Sequence, residues 1–283
     1  MLVVFKYKRC LWLCIMVITA QDSNLCFNQV LLSFSVTGGT QVSWKLHSGF
    51  NPGSPSTFTL QFSHSGMDGD WEDVVSGVDV CTLTDAVRRL FGGLDMLASY
   101  RVKLTDPNNN VFYSADTEVV GKANRHDFLI GRDIFRKELT RLQKYVGKKG
   151  WLFKAKRFGT VCVACVDQDT QDVTNSDCAI CYGTGIVGGY HTPTEFWFEL
   201  GLQAGSISMD PNHGTAEHVL TNSRAVAAPG LDDYDLWVRD DTDERYFVRD
   251  ASAIAFLARP LVIVAKLYKS PMDNVIYALP KPA

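Results

Sequence analysis

Between residues 162 and 190 the chain reads CVACVDQDTQDVTNSDCAICYGTGIVGGY. Two Cys-x-x-Cys pairs stand in it, Cys162/Cys165 and Cys178/Cys181, with twelve residues between Cys165 and Cys178. A Cys-x-x-Cys turn offers two thiolates from one tight loop. Two such loops supply the four sulfurs that Zn2+ takes in a tetrahedron at about 2.3 Å. The stretch between them, VDQDTQDVTNSD, is polar and turn-rich, as a surface loop is. Gly183, Gly185, Gly188 and Gly189 then let the backbone fold closely beside a metal. Two other readings compete, a pair of disulfides and a redox dithiol. A redox pair opens a helix, and neither pair here leads into a helical pattern. The four cysteines therefore predict a closed structural zinc site. A catalytic zinc keeps one position open, and four cysteines fill it. The metal then becomes part of the folding free energy of a small, loop-rich unit.

Downstream, Thr194–Gln203 (TEFWFELGLQ) alternates Phe196, Phe198, Leu200 and Leu202 with mostly polar neighbours, the period of a half-buried strand. DLWV (235–238), RYFV (245–248) and PLVIVAKL (260–267) follow, with Asp241-Thr242-Asp243-Glu244 as the turn between the first two. These predict a small, acidic β-barrel over 194–283. Residues 210–250 carry ten Asp/Glu against four Arg. Immediately upstream, WLFKAKRFGTV (151–161) predicts a strand that ends on Cys162.

Residues 125–146 contain no proline, and Phe128, Phe135 and Leu142 recur every seven residues, which predicts an amphipathic helix. Arg132, Arg136, Lys137, Arg141 and Lys144 occupy its other face. Residues 125–157 carry eleven Lys/Arg against three Asp/Glu, although the whole chain is only −3. That basic face is either simply solvated or docks an acidic neighbour or DNA. It carries no interleaved stacking aromatics, so sequence-specific nucleic-acid reading is not expected.

From about Val30 to Val120 the pattern is short alternating strands (LLSFSV, QVSWKL, TFTLQFS, SYRVKLT) separated by turn signals such as Asn51-Pro52-Gly53-Ser54-Pro55. This is the cadence of a β-sandwich. Trp44 on an early strand, and Leu94-x5-Tyr100 leading into YRVKLTD, resemble a fibronectin type III module, in which Tyr100 takes the place of the corner tyrosine. The resemblance implies a spacer or adhesion unit and no chemistry.

Residues 1–28 form a signal-like or atypical segment. A basic start and an apolar run from Cys10 to Ala20 look like a secretory signal, and the run is too short for a spanning helix. A mis-assigned start and an ordered N-terminus are the competing readings. A reduced four-thiolate site suits a reducing compartment. The expected organisation is mainly β and multidomain: segment 1–28, sandwich 29–121, linking helix 122–150, zinc-knuckle region 151–193, barrel 194–283.

No nucleophile–base pattern stands out among the six histidines, and the glycines after Cys181 do not join a strand to a helix as a phosphate loop does. No enzymatic activity and no small-molecule substrate are expected. CAICYGTG (178–185) fits the Cys-x-x-Cys-x-Gly-x-Gly repeat of J-protein co-chaperones. The first pair lacks those glycines, however, and no His-Pro-Asp triplet exists. The order of elements is similar to that of tailed-bacteriophage virion proteins of the neck, or head-to-tail connector. It runs from GRDIFRKELTRLQKYVGKKGWLFKAKRFG through the knuckles and CYGTGIVGGYHTP to DLWV, RYFV and RPLVIVAKLYKSP. This resemblance covers about 125–280. It implies a structural ring component of the virion, assembled in the host cytoplasm. Its implied partners are copies of itself, other neck, portal or tail proteins, and genomic DNA contacted non-specifically. The signal-like start supports the alternative of a secreted or cell-surface adhesion protein.

Overall fold

The computed structural model describes residues 26–36, 39–66, 69–88, 98–119, 124–167, 173–207, 218–256 and 259–282, with the side chains at 125, 202–207, 218–220 and 259 excepted. The expectations for the first twenty-five residues, with Cys10 and Cys14, and for Leu94 fall outside these. The protein is mainly β and multidomain, and its described residues form two sheets facing one another, one α-helix and one closed barrel.

The first body sets a three-stranded sheet, β1 (Phe27–Phe34), β2 (Thr40–Leu46) and β5 (Thr82–Asp85) in that order, against a second sheet. The second runs β4 (Glu72–Val78), β3 (Thr57–Ser63), β6 (Ser99–Thr105), β7 (Val111–Tyr113), and the short β8 (Thr117–Glu118) also pairs with β6. Period-two alternation explains the core. Phe58, Leu60 and Phe62 of β3 stand opposite Leu104, Val102 and Tyr100 of β6 and point to one buried face. Trp44 stacks on Phe58 with ring centroids 5.2 Å apart. Each large side chain so buried contributes roughly 1.5–3 kcal/mol. The Tyr100 hydroxyl donates to the buried Asp85 carboxylate at 2.9 Å, tying β6 to the end of β5.

Helix α1 (Arg125–Arg141) starts at Asn124, whose side chain accepts from the Asp127 amide at 2.9 Å. The helix expected to run to Val146 ends at Arg141 and continues as one π-helical turn, Leu142–Val146. That turn keeps Leu142 buried with Phe128 and Phe135 before Gly147 leaves the helical conformation. These three pack against Val226, Leu261 and Val262 on the outside of the barrel, and Phe34 of β1 joins the same cluster.

The barrel closes in the order β10 (Thr194–Ile207), β11 (His218–Val226), β14 (Arg259–Lys269), β13 (Arg245–Phe256), β12 (Leu236–Arg239), β9 (Lys148–Phe153). β9 comes from ahead of the cysteine pairs, so the barrel begins before residue 194. It pairs with β10 on one side and β12 on the other, and these two ladders close the ring. Trp237, Phe196, Phe198, Leu152 and Leu267 fill the interior. The strand expected over Trp151–Val161 stops at Phe153. Beyond it Ala155 makes one isolated bridge to Tyr190, and Phe158 turns away into the sandwich core against Phe58, centroids 5.3 Å apart.

Candidate metal centre

The two Cys-x-x-Cys loops are bent by their own backbone. The Val166 amide bonds the Cys162 carbonyl at 3.0 Å, and the Tyr182 amide bonds the Cys178 carbonyl at 2.8 Å. The loops are held together by Cys162 N–H donating to Gly185 O at 2.8 Å, and by a bridge between Val161 and Ile186. Two glycines are required here. Gly189 (φ +62) brings its α-carbon so close to the Cys181 carbonyl that a Cβ would sit 2.7 Å from the oxygen, and at Gly183 (φ +79) a Cβ would sit 2.9 Å from Ser176 O.

The result is a buried cluster of Cys162, Cys165, Cys178 and Cys181 whose sulfurs all lie within 4.8 Å of one another, able to hold a metal ion. Cys162 and Cys178 Sγ are 3.8 Å apart, and Cys165 and Cys181 Sγ 3.0 Å. Four sulfurs at ~2.3 Å from a common centre stand about 3.8 Å apart in a tetrahedron; the Cys162–Cys178 spacing matches that edge, and the Cys165–Cys181 pair has to open by a few tenths of an ångström or more to reach it. Both spacings exceed the ~2.05 Å of a disulfide, and all four cysteines are free. Backbone N–H groups of Cys181 and Ile180 aim at Cys178 and pull its thiol down to about 7, while burial pushes Cys165 up. All four expected ligands are thus brought together, and among the described residues no other group of three or more ligating side chains converges.

Several residues that fasten this centre to its surroundings carry no sequence signal. The Asn51 amide donates to Gly159 O at 3.0 Å and accepts from Gly159 N at 3.1 Å, clamping the arm to the sandwich. On the other side of the arm, the Lys154 ammonium donates to Gly230 O (2.7 Å), Asp232 (3.0 Å) and the buried Asp235 (2.6 Å). Burial alone would lower the Lys154 pKa, but the two carboxylates outweigh it and hold the lysine protonated. Lys45 of β2 also pairs with Asp232, so one polar hub joins sandwich, arm and barrel. A cleft of about 360 Å³ lies at this junction, lined by Cys81, Lys156, Tyr190 and His191 among others. Burial pushes the Cys81 thiol up to about 11, so it is not a thiolate at neutral pH.

The basic face of α1 is less free than its composition suggests. Arg141 pairs with Glu138 and, in a bidentate fork, with Glu199, and Arg224 reaches Glu138 at 3.1 Å. The acidic barrel is likewise occupied within the chain: Glu244 bonds Lys269 and Arg239, Asp250 bonds Lys266, and Glu195 bonds Lys149. Lys137 and Lys144 form no ion pair among the described residues, and Tyr145 stands 80% exposed beside them.

No family model matches the chain and no curated protein does. Among solved structures, it is similar to a pectate lyase, Pel3 of Pectobacterium carotovorum, at 18% identity and TM-score 0.26 over 33% of this chain and 27% of that one. It is also similar to titin kinase with its flanking domains, at 6% identity and TM-score 0.25 over 86% of this chain and 37% of that one. The chain thus spans well under half the length of either, and similarity this low carries no functional argument. Fold and site define a mainly β, multidomain protein with a buried four-cysteine cluster, able to hold a metal ion, at the junction of its parts.

Proposed function

We propose that the protein is a non-enzymatic structural component of a tailed-phage virion, a ring subunit of the neck or head-to-tail connector held rigid by a structural zinc. The observation that carries this is the placement of the cysteine cluster. Its four ligand positions are filled by buried thiols, and its flanking arm plugs Phe158 into the sandwich and Lys154 onto the barrel. A metal so placed fixes the angle between two β bodies and offers no open position to a substrate. Cys162, Cys165, Cys178 and Cys181 would hold Zn2+, which four thiolates suit and which supplies folding energy without redox chemistry. The first body reads as a fibronectin type III-like decoration. The division of β1-β2-β5 against β4-β3-β6-β7, core Trp44 and the bonded Tyr100 support that reading. Copies of the chain, other neck, portal or tail proteins, and the phosphates of passing DNA near Lys137 and Lys144 are its proposed partners.

Electron microscopy and sedimentation of the purified, metal-loaded chain test the proposal. Closed rings of defined order support it, and a monomer at 100 µM, alone and with a portal-type partner ring, sinks it. The apolar run Cys10–Ala20 favours a second reading, a secreted adhesion protein. N-terminal sequencing of the mature protein that finds a start just after Ala20 would select it.

A further inference from the structure

The cleft of about 360 Å³ at the junction is walled by the β4–β5 turn, the arm, the segment that follows the knuckles, and Pro229 of a barrel loop. Its walls are braced by their own backbone. The Asp79 amide donates to Ser56 O at 2.8 Å, the Lys156 amide to Gly189 O at 2.9 Å, and the His191 amide to Lys154 O at 2.9 Å. A cleft of this size suits a small ligand, and such sites are largely formed before the ligand arrives. The polar groups that line it differ in what they have left to give. Lys154 spends all three ammonium donors within the chain, on Gly230 O, Asp232 and Asp235. Lys156 spends one, on Val187 O at 3.4 Å, and makes no ion pair among the described residues. Its ammonium lies over Gly188, where a Cβ would stand 3.1 Å from Nζ. The Asp79 carboxylate accepts from the Ser56 amide at 2.8 Å and from the Ser54 hydroxyl at 2.5 Å, and it keeps lone pairs beyond these. Burial, with Lys156 and Lys154 nearby, pushes His191 down to about 4, so the imidazole is neutral near pH 6, and it bonds the Asp79 carbonyl. A neutral ring that donates through one nitrogen accepts through the other. Val78, Val80 and Pro193 complete the wall with apolar surface.

One cation with donors to spare, set beside two acceptors, is a mixed demand. A fully ionised oxyanion satisfies the lysine but is opposed by Asp79. An oxyanion that keeps one proton satisfies all three, giving its oxygens to Lys156 and its O–H to Asp79 or His191. We propose that this cleft binds a phosphate monoester as its monoanion, held by Lys156, Asp79 and His191 with the organic body against the apolar wall. This goes beyond the structural role above and does not depend on it. The ligand is held rather than turned over. Cys81 on the same wall stays a thiol and offers no thiolate for attack. Because sandwich, arm and barrel all contribute to the wall, a bound phosphate ties the three together.

The test is isothermal titration calorimetry of the full metal-loaded chain with phenyl phosphate at pH ~6, where about half of a phosphate monoester retains its proton. Binding with a Kd of ~1 mM or below is expected. Phenyl sulfate, alike in shape and charge but without the proton, is expected to bind ~10-fold more weakly or worse, because it leaves the two acceptors unmatched. Lys156→Met is expected to lose ~10-fold or more, the loss of a charged hydrogen bond, with Lys156→Arg retaining most of the affinity. Lys137→Met, which removes an equal charge from the distant helix, is expected to bind as wild type does. Unchanged metal content and circular dichroism establish that each variant is folded, and the phosphate–sulfate contrast needs no variant. No binding of phenyl phosphate up to ~10 mM overturns the proposal. So does phenyl sulfate binding as tightly as phenyl phosphate, or an affinity that Lys156→Met leaves unmoved.

Discussion

Phe158→Ala is the most informative single change in the fold. Phe158 arises in the arm between β9 and the first cysteine pair, yet its ring is 5% exposed inside the sandwich, against Phe58. Truncation leaves a ring-sized hole in a core whose other walls, Phe58, Leu60 and Leu104, are themselves fully buried and held in strand register. Buried Phe→Ala changes cost ~3–5 kcal/mol in such settings, transfer and cavity together. At about 4–8 °C per kcal/mol for a unit of this size, the sandwich transition falls by ~12 °C or more. The four cysteines form a cluster separate from the one that holds Phe158, so the metal content expected of the chain is unchanged by the substitution while the barrel transition moves little. Differential scanning calorimetry with parallel metal analysis reads both, and Phe158→Leu, which keeps most of the volume, loses under ~2 kcal/mol. An alanine variant within ~1 kcal/mol of wild type, with an unmoved sandwich transition, would refute the claim that this ring couples arm and sandwich.

Two further outcomes follow from the junction. Lys154→Met strands the buried Asp235 without its cation, while Asp232 keeps Lys45, and costs ~3–5 kcal/mol in urea unfolding. A cost under ~1 kcal/mol would show that the hub is not held by this charge. Burial, with Lys156 and Lys154 nearby, pushes His191 down from 6.5 to about 4, and Asp79 pulls weakly the other way. Between those values the unfolded chain binds the proton and the folded one does not. The stability carried by neutral His191 is therefore complete above pH 6.5 and lost as pH falls towards 4. His191→Gln flattens that part of the urea-midpoint profile relative to wild type, and parallel profiles would contradict the assignment.

The parts legible in the sequence are those whose cause is local. The cysteine ligands follow from the bite of a three-residue turn, and β3, β6 and β10 from alternation that one buried face imposes. Helix α1 follows from a seven-residue repeat of Phe128, Phe135 and Leu142. What the sequence leaves hidden depends on distant partners. Asn51 meets Gly159 across 108 positions, and Lys154 meets Asp232 across 78. No period or composition encodes such meetings. β9, KKGWLF, carries two lysines and a glycine and shows no clean alternation. Its place in the barrel is decided by the ladders it completes with β10 and β12. Charge composition misleads for the same reason. The basic helix and the acidic barrel look like partners for neighbouring subunits, but Arg141 already grips Glu199 and Lys269 already grips Glu244 within one chain.

The most direct test of the central claim is the metal content of the purified chain, measured by plasma emission alongside a thiol-reagent titration. The account predicts about one zinc per chain, with Cys162, Cys165, Cys178 and Cys181 protected until the metal leaves. A chain that carries no metal, with those four cysteines freely reactive or oxidised in pairs, would contradict it.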